Sequence, residues 1–141
     1  MTAPRDRTSR APVSAPGQPR VPGPVPDRGL PASTTESELQ QLVVDLARVT
    51  GWRTNHTRRS RGKGGRWVTA TSCVGMPDLT LWNPRHGGLL FVELKTERGK
   101  LSAEQAEVIA SLRAAGCDAR VWRPSSWPEV VEALTGRVAA G

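Results

Sequence analysis

A chain of 141 residues has room for one folded domain. No stretch approaches 18 apolar residues and the N-terminus has no apolar signal core, so neither a transmembrane helix nor a secretory signal peptide is predicted. The net charge of +7 favours a polyanionic partner. We expect a cytoplasmic protein with no membrane partner. Cys73 and Cys117 lack metal-ligand spacing, so they are expected to be buried, reduced thiols.

The first 33 residues differ in composition from the rest of the chain. They hold eight of the twelve prolines and almost no large apolar side chains. A segment of this composition cannot bury enough surface to offset its ordering entropy. We expect residues 1–33 to be a disordered Pro/Ala/Arg-rich tail and residues 34–136 to form the folded domain. Residues 137–141 are expected to be a short flexible C-terminus.

Apolar spacing predicts a first helix over residues 36–49. Its apolar residues recur at helical intervals: Leu39, Leu42, Val43 and Leu46. Gly51 ends this run, and residues 33–35 supply candidate N-caps. Residues 52–57 then indicate a strand, and residues 67–71 indicate either a short strand or an extended segment.

The second half of the chain alternates between strand and helix patterns. Strands are predicted over residues 79–82, 89–95 and 118–124, with helices over 103–115 and 128–134. This order predicts an α/β domain with a central mixed sheet flanked by helices. Trp82 and Trp122 lie within strand runs and are expected in the core, whereas Trp67 and Trp127 are expected to be freer.

Two of these strands each carry acidic groups at one end. Asp78 precedes the run that begins at Leu79, and Glu93 and Lys95 end the next run on one face of its strand. If the two strands pair, Asp78 reaches the same edge as Glu93. Two converging carboxylates suit a hard cation such as Mg²⁺, and a nearby lysine can orient or deprotonate an attacking water. Phosphodiester hydrolysis needs these groups, although a solvated strand face would show the same pattern.

The residues around these carboxylates resemble a known family. The segments are Gly75-Met76-Pro77-Asp78-Leu79, Glu93-Leu94-Lys95-Thr96 and Leu101-Ser102-Ala103-Glu104-Gln105. They look like the VRR-NUC branch of the PD-(D/E)xK nuclease superfamily, and the resemblance covers about residues 35–135. It implies the restriction-endonuclease-like fold and a metal-dependent nuclease that cuts DNA, with structure-specific cleavage of a junction or flap as the family-level expectation.

The resemblance also implies roles for individual residues. Asp78 and Glu93, with the Leu94 carbonyl and a contribution from Glu36, would hold Mg²⁺ or Mn²⁺. Lys95 would position or activate the attacking water. Gln105 would order a metal-bound water or a phosphate, unless it is an ordinary exposed helix residue.

Glu36 has a competitor within the same helical turn. Related sequences carry a glutamate four residues before a glutamine, which Glu36 and Gln40 match. Both Ser33-x-x-Glu36 and Thr35-x-x-Glu38 also fit a capping box, which would use the glutamate structurally. The spacing to Gln40 favours Glu36 over Glu38 as the member of the site.

A basic segment lies between the first helix and Asp78. Residues 53–66 contain no acidic residue, and the candidates for contacts with nucleic acid within them are His56, Arg58, Arg59, Arg61, Lys63 and Arg66. Beside a pair of metal-binding carboxylates, a role in contacting phosphates is favoured over a merely solvated loop.

Two other classes of function stay open. One is a non-catalytic, basic nucleic-acid-binding module on the same fold, and the other is a protein–protein adaptor. A homodimer is a further expectation, because a small domain that cuts both strands of a duplex or a branched junction needs two sites.

Overall fold

A mixed β-sheet carries the fold of this protein. The structure is a computed structural model that describes residues 28–57, 59–61, 67–69 and 73–136. The strands of the described residues are β1 (Arg53–His56), β2 (Arg59–Arg61), β3 (Trp67–Thr69), β4 (Leu79–Asn83), β5 (Gly88–Leu94) and β6 (Asp118–Trp122). The main sheet has the order β1-β4-β5-β6, in which only β5 and β6 pair in parallel. Strands β2 and β3 pair with each other as a separate antiparallel ribbon.

Three helices lie in the described part of the chain: α1 (Glu36–Val49), α2 (Ala103–Ala114) and α3 (Trp127–Thr135), the last entered through a 3₁₀ turn at Pro124–Ser126. Capping boxes at Thr35 and Ser102 begin α1 and α2, satisfying amide groups that a helix start leaves open. None of these helices is long and apolar enough to cross a membrane.

The two faces of the main sheet are covered differently. Residues paired across strands share a face, so the register assigns one face to the buried residues Leu79, Leu81, Leu90, Val92, Leu94 and Trp122. We call this the core face. It packs under α1 and α3, whose buried residues join the same apolar cluster. The other face, which we call the α2 face, is covered by α2 where that helix packs on β6.

The α/β class with a mixed sheet and flanking helices is confirmed, and α1 has the predicted bounds. The predicted segment 67–71 contains β3, while residues 70–72 lie outside the described residues. Strand β2 was not predicted, because its three residues fall in a run whose composition is typical of a flexible loop.

Two predictions about tryptophans were wrong. Trp82 is 37% exposed, because it alternates with the buried Leu81 and so points to the α2 face, where it stays partly open. Trp127 is only 3% exposed, because it begins α3 and enters the apolar cluster under that helix. Trp122 is fully buried as expected. The expectation of a buried thiol was also wrong for Cys73, which lies on the surface.

The last part of the predicted tail, before residue 33, contacts the folded domain. The Leu30 amide donates to the Pro124 carbonyl at 2.9 Å, and the Leu30 side chain packs against the apolar cluster. Residues 1–27 and 137–141, to which the sequence assigns a disordered tail and a flexible terminus, lie outside the described residues.

Candidate active site

Asp78, which directly precedes β4, lies beside the end of β5 that carries Glu93. The register pairs Leu79 with Val92, and the next residues outward are Asp78 and Glu93. The neighbouring ladder extends the same way, because the Thr57 amide donates to the Asp78 carbonyl at 2.8 Å. Oδ2 of Asp78 accepts a hydrogen bond from the Leu94 amide at 2.9 Å. These contacts place Asp78 next to the residue that follows Glu93.

Glu93 is fully buried and is held by two donors. Its Oε1 accepts from Nε2 of Gln105 at 2.7 Å, and Nζ of Lys95 lies 3.4 Å from the same oxygen. The Lys95 side chain is itself only 11% exposed. A buried charge is costly unless it is paired and hydrogen-bonded, so this carboxylate needs both neighbours. The result is an acidic group and a basic group fixed side by side in a site with little solvent.

Gln105 connects this carboxylate to the start of α2. Its side-chain carbonyl accepts from the Ser102 amide at 2.9 Å, while the Gln105 amide donates to Oγ of Ser102 at 3.1 Å. The same side chain donates to Glu93 through Nε2. A planar amide can do both because it carries an acceptor and two donors. Gln105 is thus a buried structural bridge rather than an exposed helix residue.

Gly75 lets the turn before Asp78 lie against α2. It has φ +93, and an added Cβ would lie 2.5 Å from the Glu104 carbonyl oxygen. Only glycine adopts this dihedral without strain and leaves space for the approach. The turn therefore closes over the sheet beside Gln105, which fixes the position of the Asp78 backbone relative to the helix.

Pro77 cannot donate a ladder hydrogen bond to the Leu94 carbonyl. The Leu94 N–H points toward β4, where it reaches Asp78, and the carbonyl of a strand residue points to the same side as its N–H. The ladder ends at Leu79 and Val92; two residues further along, β4 is preceded by Pro77, which has no N–H to donate. The carbonyl oxygen thus faces the Asp78 side of the site without a backbone donor from Pro77.

Gln40 and His56 meet on the core face at the end of β1 that pairs with the start of β4. Nε2 of Gln40 and Nδ1 of His56 lie 3.1 Å apart, and His56 pairs in register with Leu79. Glu36 begins α1 one turn before Gln40 and is exposed. Glu38 instead completes the capping box with Thr35, whose hydrogen bonds lower the pKa of the Glu38 carboxyl.

The loop after Lys95 is held by Arg123, to which the sequence analysis assigned no role. Nη1 of Arg123 donates to the carbonyls of Thr96 at 2.8 Å and Gly99 at 2.5 Å. Oε2 of Glu97 accepts from the Ser125 amide at 2.9 Å, and hydrogen bonds from Ser125 together with the nearby guanidinium lower the pKa of Glu97. This role could have been predicted from the Trp122-Arg123-Pro124 sequence, because an arginine that directly follows a buried strand is well placed to bind backbone carbonyls.

The donor set suits a cation held by few protein ligands. Within residues 28–57 and 73–136, no three His, Cys, Asp or Glu side chains form a group that could hold a metal ion, so Glu36 is not assembled with the two carboxylates. Asp78, Glu93 and the Leu94 carbonyl offer only oxygen atoms. Mg²⁺ is commonly bound by one or two carboxylates and keeps several waters, so these residues fit it.

The basic segment is only partly described. Arg58, Lys63 and Arg66 lie outside the described residues. Arg59 and Arg61 belong to β2, of which the structure describes the backbone. Their predicted contacts with phosphates therefore remain predictions.

The mixed sheet with its flanking helices defines an α/β domain, which carries Asp78, Glu93 and Lys95 at one end of the sheet. The sequence model of the VRR-NUC domain matches residues 28–125, more than half of the chain, so the chain belongs to the VRR-NUC domain family. A solved structure described as a VRR-NUC domain has a TM-score of 0.50 at 24% identity, covering 70% of this chain and 97% of that chain. At this identity the likeness shows the fold. No curated protein sequence matches the chain. Family membership implies nucleic acid as the class of partner.

Proposed function

We propose that this protein is a metal-dependent nuclease that hydrolyses phosphodiester bonds in DNA, with branched DNA such as a junction or flap as its substrate. One observation carries the proposal. Asp78, directly before β4, binds the amide of Leu94, the neighbour of Glu93 on β5, and Lys95 is ion-paired to Glu93 at 3.4 Å. A purely structural ion pair would not need a second carboxylate beside it.

Asp78 and Glu93, together with the Leu94 carbonyl, are the proposed ligands of Mg²⁺ or Mn²⁺. When bound, such an ion lowers the pKa of a coordinated water and stabilises charge on the phosphoryl oxygens. The protein contributes the fixed geometry. The Leu94 amide holds Asp78 through Oδ2, and Gln105 holds Glu93 through Oε1. Both carboxylates are thus oriented before substrate arrives, which removes the cost of ordering them during the reaction. Glu36 remains a proposed contributor from α1, acting through water.

Lys95 is the proposed group that positions the attacking water. Its ammonium lies beside Glu93 and is largely excluded from solvent. A cation there can donate a hydrogen bond from Nζ to the water, or compensate the charge that develops on the phosphate oxygens. Because Glu93 contacts Lys95, the carboxylate also restrains the lysine from swinging away.

Isosteric variants test these roles. Asp78→Asn keeps the shape of the side chain and an oxygen for the Leu94 amide, but removes the charge. Lys95→Met keeps the length and removes the ammonium. We expect each to lower the cleavage rate at least about a hundredfold. Lys100→Met is the matched control, because it removes the same charge from an exposed position in the loop that follows β5, and it should cut normally.

The assay uses labelled single strand, duplex, flap, splayed arm and four-way junction, each with Mg²⁺, Mn²⁺ or chelator. Binding is measured in chelator on the same DNAs. Cutting that requires metal and is lost in Asp78→Asn and Lys95→Met would support the proposal, and the preferred DNA would give the substrate. Binding without cutting under any metal would favour a non-catalytic nucleic-acid-binding module instead. Sedimentation of the wild-type protein tests the expected homodimer.

A further inference from the structure

The α2 face carries an apolar patch close to the candidate active site. Trp82 is 37% exposed and Leu89 is 47% exposed, and the register pairs them directly across β4 and β5. Arg53, on the edge strand β1, pairs with Trp82 from the other side and is exposed. The patch is thus an aromatic ring with an aliphatic and a cationic neighbour.

This patch lies on the same face as the two carboxylates. Thr80 and Trp82 alternate along β4 and share the α2 face, and Asp78 directly precedes that strand in the same alternation. Trp82 is four positions after Asp78, which is about 14 Å along the strand. That distance corresponds to about four nucleotides at the axial spacing of B-form DNA, and fewer in an extended strand. A strand with its phosphate at the carboxylates can therefore place a nearby base on the tryptophan.

The composition of the surface between them suits a nucleic acid strand. Thr80 and Asn55, paired across β4 and β1, provide polar side chains, and Arg53 provides a positive charge. The acidic side chain in this part of the α2 face, Asp78, belongs to the candidate active site. Tryptophan offers the stacking surface that an unpaired base needs, and arginine beside it favours both the phosphate and the ring.

We propose that Trp82, with Arg53 beside it, forms a stacking subsite for an unpaired base of the DNA strand close to the cleavage point. The inference rests on the proposed function and deepens it by naming the feature of the DNA that is recognised. A second copy of the chain is the less favoured occupant. Stable interfaces bury about 800 Å² per partner, and a large aromatic side chain supplies about 150–250 Å², so two partly covered residues fall well short.

The test separates stacking from simple apolar contact. Trp82→Leu keeps an apolar side chain that cannot stack, and Trp82→Phe keeps an aromatic ring. Affinity is measured in chelator for a duplex with a short single-stranded arm, and for the same DNA with abasic positions in the arm. We expect Trp82→Leu to weaken binding of the intact arm about tenfold and Trp82→Phe to change it little. On the abasic arm, Trp82→Leu should bind like the wild type.

Several results would overturn the subsite. One is that Trp82→Leu and the wild type bind the intact arm with equal affinity. Another is that Trp82→Leu loses the same affinity on the intact and the abasic arm. A third is that the protein binds no DNA at low salt. A wild-type dimer that dissociates in both Trp82→Leu and Leu89→Ala would identify the patch as a subunit interface instead. Failure of the nuclease proposal is distinguishable, because binding in chelator does not depend on cleavage.

Discussion

Replacing Gln105 with methionine should destabilise the domain more than the loss of a helix cap can explain. Methionine has a similar volume and helix propensity, so Gln105→Met removes chiefly the polar contacts. The bond to the buried Glu93 is 2.7 Å long. A hydrogen bond to a charged group contributes about 1.5–3 kcal/mol, and a cap about 1 kcal/mol. The expected loss is therefore about 3 kcal/mol in the free energy of unfolding.

Urea unfolding with matched variants measures this loss. Ser102→Ala removes the hydroxyl that accepts from the Gln105 backbone amide but leaves the hydrogen bond from the Gln105 side chain to Glu93. It should therefore cost only about 1 kcal/mol in the free energy of unfolding. With a slope of about 2 kcal/mol/M, Gln105→Met should lower the urea midpoint by about 1.5 M at unchanged slope. A double-mutant cycle with Glu93→Gln isolates the pair, for which we expect a coupling energy above about 1 kcal/mol.

If Gln105→Met costs no more stability than Ser102→Ala, the side chain of Gln105 does not stabilise the buried Glu93. A coupling energy near zero in the double-mutant cycle would equally show that the side-chain amide of Gln105 does not stabilise Glu93. Either result would return Gln105 to an ordinary capping residue.

Three further predictions concern the elements around the site. Gly75→Ala should lower the melting temperature more than Gly87→Ala, because both glycines have positive φ but only Gly75 faces a backbone that a Cβ would strike. Arg123→Lys should speed amide exchange in the loop after β5, since an ammonium cannot reach the several carbonyls that the guanidinium binds; unchanged exchange would show that the loop is held otherwise. The pKa of Glu38 is lowered below its usual 4.5 on folding, so its contribution to stability is present above that pH and lost as the pH falls through the folded value. Thr35→Ala should remove this part of the acid dependence, and an unchanged pH profile would contradict it.

Much of the fold could be predicted from the sequence, because its helices and main strands carry regular apolar spacing. Helix α1 shows a 3.6-residue apolar stripe bounded by caps, and its bounds were predicted correctly. What the pattern could not give is which face of a strand each helix covers. Trp82 and Trp122 both lie in apolar strand runs, but only Trp122 is fully buried. Helix α2 packs on β6, and Trp82 on β4 stays partly exposed. Coverage is a property of tertiary packing, which spacing within a single strand does not encode.

The candidate site shows a similar division. The order of Asp78, Glu93 and Lys95 at the ends of paired strands follows from local sequence, so their convergence was predictable. The contacts that orient them come from distant segments. Arg123 reaches the loop after β5 from a position more than twenty residues later, and Gly75 meets the backbone of α2. Neither contact leaves a periodic signal in the sequence, because each depends on how two separate elements dock.

Stability and activity are coupled at this site because one side chain serves both. The amide of Gln105 closes the capping box of α2 and also orients Glu93, so α2 cannot shift at its start without moving the buried carboxylate. Lys95 depends on the same carboxylate for its ion pair. A change that loosens the first turn of α2 should therefore lower the proposed cleavage rate as well as the unfolding free energy. A change at the far end of α2 should affect stability alone. A substitution of Arg113, whose side chain binds the Ala119 carbonyl, is such a change.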